Sequence, residues 1–400
     1  MQIESNIGQG AGRANDDDIP EIGVGMLGYG FMGKAHSNGF RKVAYTFWPP
    51  PAVPKLVAIC GRSGRGTAET ARQFGYSKYY TDWRDIIRDD EIELFDNSGP
   101  NNIHADPCIA AAAAGKNILC EKPLGRNSIE SRDIWDAAKR AGIRHMLAFN
   151  FRFVPAIALA RKLVQDGVVG HVYHFRGQFL GNWFLDTKAP MVWRLNREAA
   201  GSGAVGDLGS HVIDLARFLV GEPASVSATK RTFTRERALL NEPSKMARVE
   251  VDDAFEAVVE FKNGAIGTLE ASTVCSGRQM HLAFEIDGSK GSIRFNLERM
   301  NELEFCLADD EPKEVIGFRD AIVTKRNDPL YDRWFDHLSQ HMFGYEGTIV
   351  NEVYHFLDCI VNRRDVAPHG ATFEDGYRCA VVCDAILESC ESKRSVEVDY

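Results

Sequence analysis

The feature that most constrains this 400-residue chain is an apolar run that breaks into glycines near its start. Residues 22–28, IGVGMLG, read as a buried strand feeding a tight turn, and Gly28-Tyr29-Gly30-Phe31-Met32-Gly33 then fits G-x-G-x-x-G. The six-residue pattern is weak by itself, and the elements downstream of it carry the weight. A helix is expected over residues 32–43, then a proline-stiffened extended connector over 46–54 containing FWPPPAVP, which cannot be helical. Strands at 55–60, 92–97, 117–120 and 144–149 alternate with helices at 67–74, 83–88, 105–114 and 128–141. Such alternation predicts a parallel, doubly wound sheet over residues 21–150.

In that setting the glycines acquire roles. Gly28 permits the turn, Gly30 lets a pyrophosphate approach the backbone, and Gly33 allows close helix–strand packing, with Phe31 and Met32 opening the helix whose N-terminus faces the phosphates. This is a Rossmann dinucleotide site. The second strand ends Cys60-Gly61-Arg62-Ser63-Gly64-Arg65, without the acid that commonly holds the ribose hydroxyls of NAD. Arg62, Ser63 and Arg65 suit a 2′-phosphate, which leans toward NADP, while Ser63 and the loop backbone can also serve NAD.

After residue 150 the pattern changes. A helix at 155–165 precedes strand-like runs at 171–180, 224–233, 252–261, 264–274, 280–287 and 291–296, with turn signals at Asn263-Gly264 and in DGSKG, 287–291. Helices are expected at 207–220, 345–362 and 373–391. The expected fold class is therefore α/β: an N-terminal Rossmann domain (21–150) and a C-terminal α+β domain (151–400) with a large, mostly antiparallel sheet for substrate binding and oligomerisation. One sheet face lacks helices to cover it. An open apolar face is rare in monomers, so a homo-oligomer, a tetramer or dimer, is expected. Residues 1–20 include Asp16, Asp17 and Asp18, lack the apolar core of a secretory signal and read as a flexible polar arm. No apolar run reaches membrane-span length, and a net charge of −9 without a basic block argues against nucleic acid as a partner. Nine cysteines without framework spacing read as reduced thiols of a cytoplasmic protein.

Candidate chemistry lies in several places. Lys122, in Cys120-Glu121-Lys122-Pro123, follows a strand whose carboxyl end borders the cofactor crevice, where an ammonium stabilises a forming alkoxide; surface lysines also occupy such positions. On the helix at 207–220, Asp207, His211 and Asp214 share one stripe, while Leu208, Val212, Leu215 and Leu219 share the core stripe. His211 suits proton exchange and a carboxylate can orient it, although Asp207 also fits a helix start and His211 a packed core histidine. Asn150 and Arg152, at the exit of the last strand, sit where the domains meet and are expected to touch nicotinamide or substrate. Trp183 and Trp193, with Phe179 and Phe184, can stack on a sugar or pack as core. His171 and His174 point to opposite faces of a strand, and Cys379 and Cys383 have no second pair, so no metal is expected.

Taken in order, GYGFMG, Pro100-Asn101 followed by His104, Glu121-Lys122-Pro123, Asn150-Phe151-Arg152 and the D-x-x-x-H of Asp207 and His211 resemble the glucose–fructose oxidoreductase and inositol dehydrogenase family (Gfo/Idh/MocA). The resemblance implies a catalytic group of Lys122, Asp207 and His211, and cofactor contacts extending to Pro100, Asn101, His104 and Glu121. Gly99-Pro100 departs from the family's usual Thr-Pro. FWPPPAVP, Trp193-Arg194 and AGSGAVGDLGSHVIDLARFLVG are similar to the family's levoglucosan- and glycoside-oxidising branch, which implies NAD, a role for Arg194 beside the substrate, and oxidation at C3 of a glucose-type ring. A glycoside-cleaving member, an inositol dehydrogenase and a non-catalytic nucleotide sensor are the competing readings.

Overall fold

The computed structural model describes residues 19–324 and 342–400; most of the expected N-terminal arm, up to residue 18, lies outside them. The first sheet is built from β1 (Glu21–Leu27), β2 (Val53–Cys60), β3 (Lys78–Tyr80), β4 (Leu94–Asn97), β5 (Asn117–Cys120) and β6 (His145–Leu147), all parallel, in the order β3-β2-β1-β4-β5-β6. Strands covered on both faces should be largely apolar; β1 is buried at every position after Glu21, and β4 at every position, polar Asp96 and Asn97 included. Helices α1 (Phe31–Thr46), α2 (Gly64–Phe74), α3 (Trp83–Arg88), α4 (Ala105–Ala113) and α5 (Ser128–Ala141) make the crossovers. Several ends are set locally. Ser63 and Asn127 cap the N-termini of α2 and α5, and Gly75 and Gly142 close their C-termini in left-handed conformation. Strand order reverses between β1 and β4, which opens a crevice at their carboxyl ends.

The second sheet has nine strands: β7 (Val172–Leu180), β8 (Pro223–Arg231), β11 (Ala254–Phe261), β12 (Ile266–Ser272), β13 (His281–Gly288), β14 (Gly291–Asn296), β15 (Glu302–Leu307), β16 (Arg319–Ile322) and β17 (Val396–Glu397). The order is β16-β15-β14-β13-β7-β12-β11-β8-β17, antiparallel except for β7 beside β12. Strands β9 (Glu236–Ala238) and β10 (Met246–Arg248) form a separate hairpin. Helices α6 (Pro155–Gln165), α8 (Ser210–Leu219) and α10 (Phe373–Ser392) pack on one face; α7 (Arg197–Ala200) is a single turn before α8. The other face is open. The sequence predicts it to be apolar, and it is instead mixed: Glu256, Glu260, Thr268 and Arg176 surround Val258 and Ile266, each more than half exposed. Alternation along β11 explains this, since every second residue of an antiparallel strand faces away from the core.

Two further departures from expectation bear on the site. The helix expected over 207–220 opens as a π-turn, Val205–Gly209, before α8 begins. Helix α9 (Tyr345–Val361), assigned from sequence to the second domain, packs on α1; its Ile349, Val353 and Phe356 join Ile22, Val24 and Phe40 in one core.

Candidate active site

The crevice floor is backbone. Gly28 ends β1 at φ +96°, and a Cβ there would lie 2.7 Å from the Ser98 carbonyl oxygen. A Cβ on Gly30, which caps α1 without a side chain, would meet nothing within 4 Å, so there is open space beside the N-terminus of α1. A Cβ on Gly33 would sit 2.3 Å from the Gly28 carbonyl oxygen. Turn, open cradle and close packing are what a dinucleotide pyrophosphate needs at a helix N-terminus. Phe31 stands exposed at the rim, its ring 6.4 Å from Tyr345, and the Tyr345 hydroxyl lies 3.9 Å from Met32 Sδ.

At the end of β2 the three groups that suited a 2′-phosphate are not equally free. Ser63 Oγ accepts from Gly66 N at 3.2 Å, and Arg65 Nε donates to Glu69 at 3.1 Å; Arg62 is exposed. The missing acid also has a steric reason. A Cβ on Gly61 would fall 1.9 Å from Tyr29 Cε1, so the Tyr29 ring occupies the space a side chain at 61 would need.

At the end of β4, Pro100 begins a short turn, and two side chains expected to face cofactor instead hold backbone. Asn101 Nδ2 donates to the Ala200 carbonyl at 2.9 Å, and fully buried His104 lies between the Pro123 and Gly99 carbonyls, at 2.8 and 3.0 Å. They shape the crevice wall without entering it. Glu121 is likewise internal. One carboxylate oxygen accepts from Lys122 N, and the other meets His36 Nε2 at 3.1 Å, while His36 Nδ1 contacts Asp96 at 2.8 Å. Burial alone would lower the His36 pKa; the carboxylates of Asp96 and Glu121 outweigh it and raise the value well above that of a free imidazole.

Lys122 reaches the second domain. Its Nζ donates to Asp207 Oδ1 and to the Asp207 carbonyl, each at 2.8 Å, and Arg194 Nε lies 3.6 Å from Asp207 Oδ2. Burial raises the Asp207 pKa, but the Lys122 and Arg194 cations prevail and hold it at about 2. His211 lies within three phenyl rings, Phe149, Phe151 and Phe179, with centroids 4.7–5.7 Å away. Burial, then the nearby Lys122 charge, push its pKa well below 6.5. Among the described residues no hydrogen bond joins Asp207 to His211, so the expected orienting contact is absent here. Packing against the rings orients the imidazole. The π-turn holds Asp207 at the cleft, and buried Asp252 fixes its approach by accepting from Gly203 N and Val205 N at 3.0 and 2.9 Å.

Other expected substrate contacts separate. Trp193 and Arg194 reach the pocket at Asp207, with the Arg194 guanidinium 4.4 Å over the Trp193 ring, and Phe184 and Thr273 complete its wall. Trp183 is half exposed and packs edge-on against Phe179. Asn150 turns away, donating to Thr348 Oγ1 at 2.8 Å. Arg152 is a correction: only 3% exposed, it forms a two-pronged ion pair with Asp214 beneath the site.

With this geometry in place, comparison with known proteins decides the family. Residues 22–149 match the model described as "Oxidoreductase family, NAD-binding Rossmann fold", and residues 157–294 match the GFO/IDH/MocA C-terminal domain. The chain belongs to the GFO/IDH/MocA family. It is 40% identical to levoglucosan dehydrogenase of Pseudarthrobacter phenanthrenivorans over 95% of this chain and 99% of that protein. It is 30% identical to scyllo-inositol 2-dehydrogenase (NAD(+)) of Bacillus subtilis over 74% of this chain and 80% of that one. A solved levoglucosan dehydrogenase in complex with NADH and levoglucosan superposes with a TM-score of 0.90 at 41% identity, covering 95% of this chain and all of the other. This family member is an NAD-binding oxidoreductase of the sugar-dehydrogenase kind. The lean toward NADP drawn from Arg62, Ser63 and Arg65 gives way to NAD, in line with the engagement of Ser63 and Arg65 described above.

Sequence reasoning passed over His36, Asp252, Tyr29 and Tyr345. Only His36 left a usable signal, three residues after the last fingerprint glycine, one turn into α1.

Proposed function

We propose that this enzyme oxidises a secondary ring hydroxyl of a sugar, glycoside or polyol, at C3 of a glucose-type unit. The reading is supported by the Lys122–Asp207 contact beside the carboxyl end of β5 and by His211 lying close enough to feel both charges. NAD, when bound, accepts the hydride. His211, kept neutral by its surroundings, takes the hydroxyl proton, and Lys122 Nζ hydrogen-bonds the same oxygen as negative charge builds on it. Asp207 anchors Lys122 and Arg194 and is free to accept from a neighbouring hydroxyl. The Trp193–Arg194 wall suits a compact ring bearing several hydroxyls, and the likeness to levoglucosan dehydrogenase supports that substrate class. Nine free thiols support a reducing compartment, the cytoplasm. The test is NADH formation on a panel of glucosides, levoglucosan and inositols. Activity confined to linear alcohols or 2-hydroxy acids overturns the reading. Release of a cleaved glycoside without net NADH assigns the chain to the glycoside-cleaving class instead.

The open face of the second sheet, with Val258 and Ile266 exposed among charged side chains, supports a homo-oligomer. Light scattering at micromolar concentration is expected to give a dimer or tetramer, and a monomer removes the proposal.

A further inference from the structure

Arg237, on β9, is 1% exposed and among the described residues pairs with no carboxylate. A buried guanidinium without an anion is costly unless its donors are satisfied; Nε has no partner among the described residues, so the partners of Nη1 and Nη2 indicate what the side chain serves. All of them lie in one loop. Nη1 donates to the carbonyls of Asp186 and Ala189 at 2.7 and 3.1 Å, and Nη2 donates to the Phe184 carbonyl at 2.7 Å. The guanidinium also faces the Phe184 ring, 5.7 Å from its centroid. That loop joins β7 to the turn bearing Trp193 and Arg194. Backbone bonds hold its ends, Phe184 N to Thr273 O at 3.1 Å and Met191 N to Ala238 O at 2.8 Å. Between them, Arg237 ties the loop to the rest of the fold. Phe184, Trp193 and Arg194 line the pocket at Asp207, and Arg194 contacts that carboxylate.

We propose that Arg237 is a positioning residue for substrate selectivity: its fork clamps the 184–189 carbonyls and thereby places the Phe184–Trp193–Arg194 wall against Asp207. The proposal rests on the ring-hydroxyl reading for its kinetic part. A planar fork that reaches three carbonyls from two nitrogens is a task for arginine, because lysine would have to serve all three from one nitrogen. Arg237 touches neither the dinucleotide crevice nor Lys122 or His211, so cofactor affinity should be untouched.

The experiment compares wild type with Arg237→Lys and Arg237→Met, measuring NAD affinity by calorimetry, kcat and KM on two ring epimers, and amide hydrogen exchange over residues 182–195. In Arg237→Met, KM for the better epimer should rise about tenfold and discrimination between epimers should fall, with kcat changing less and the NAD Kd within about twofold. Arg237→Lys should fall between the two. Exchange over 182–195 should quicken in both variants while β11 and β12 stay protected. If Arg237→Met does not fold, Arg237→Lys with exchange carries the test. Unchanged exchange, or an unchanged KM and epimer ratio in a destabilised variant, overturns the proposal. A wild-type enzyme inactive on every ring substrate sinks the ring-hydroxyl reading alone, because the exchange measurement still reports whether Arg237 holds the loop.

Discussion

Two ion pairs tie residues that follow β5 and β6 to one helical segment of the second domain, and they differ in almost everything but their charges. Lys122–Asp207 spans 85 residues of sequence and Arg152–Asp214 spans 62, and the two aspartates lie seven residues apart, Asp207 in the π-turn and Asp214 on α8. Side-chain exposure of the first pair is 15% and 31%; of the second, 3% and 2%. In the first pair, the Lys122 ammonium donates to Asp207 Oδ1 and to the Asp207 carbonyl and stays partly exposed. The second locks a planar fork to a carboxylate, and Asp375 lies 3.5 Å away to complete it. Burial thus separates a partly exposed pair at the cleft from one sealed in the core.

Substitutions should split the two pairs cleanly. Lys122→Ala and His211→Ala should each lower kcat by about 10²–10⁴, with little change in Tm or NAD affinity. Both variants retaining kcat within about threefold would mean the chemistry lies elsewhere. Arg152→Met should do the reverse. It strands Asp214 in the core, which costs about 3–5 kcal/mol of stability, so Tm should drop while kcat per folded enzyme stays near wild type. A specific loss of substrate affinity at unchanged Tm would instead return Arg152 to the substrate-binding group expected from sequence.

The smallest effect expected is on pH. A base with depressed pKa is already neutral in mildly acidic solution, so lowering the His211 pKa moves the acid limb of kcat below pH 6.5, the unperturbed value. Between pH 6.5 and 8, kcat should then change by less than about twofold from this group. A limb centred at or above pH 6.5 would show that substrate binding reverses the effect of burial and of Lys122.

The same contrast explains what could be read from the chain. The seat for the dinucleotide is written in adjacent glycines, because its chemistry is backbone and its requirements are local. β1 and β5 were equally plain, being short apolar runs between turn signals. Lys122, Asp207 and His211 were visible one at a time, but their contact depends on docking two domains, which no local spacing encodes. Arg152 was misplaced for that reason: its position at the exit of β6 was right, but a partner 62 residues on determines which way it faces. Asp252 opens the strand expected over 252–261, which gives it no special role, and only the fold shows it receiving two amides. The π-turn was invisible because Val205–Gly209 carries the same apolar rhythm as an ordinary helix start.

Helix α9 has a consequence for how the molecule is made. By residue 150 a ribosome has supplied every strand of the first sheet, yet Ile349, Val353 and Phe356, which seal the α1 side of its core, come some two hundred residues later. Until then Val24 and Phe40 lack part of their packing, and nascent domains with unfinished cores depend on chaperones or on rapid completion of the chain. The nucleotide-binding region, despite its contiguous sheet, is therefore expected to need the later chain to finish its core. A fragment ending near residue 150 is expected to aggregate, and the enzyme should mature only after synthesis is nearly complete.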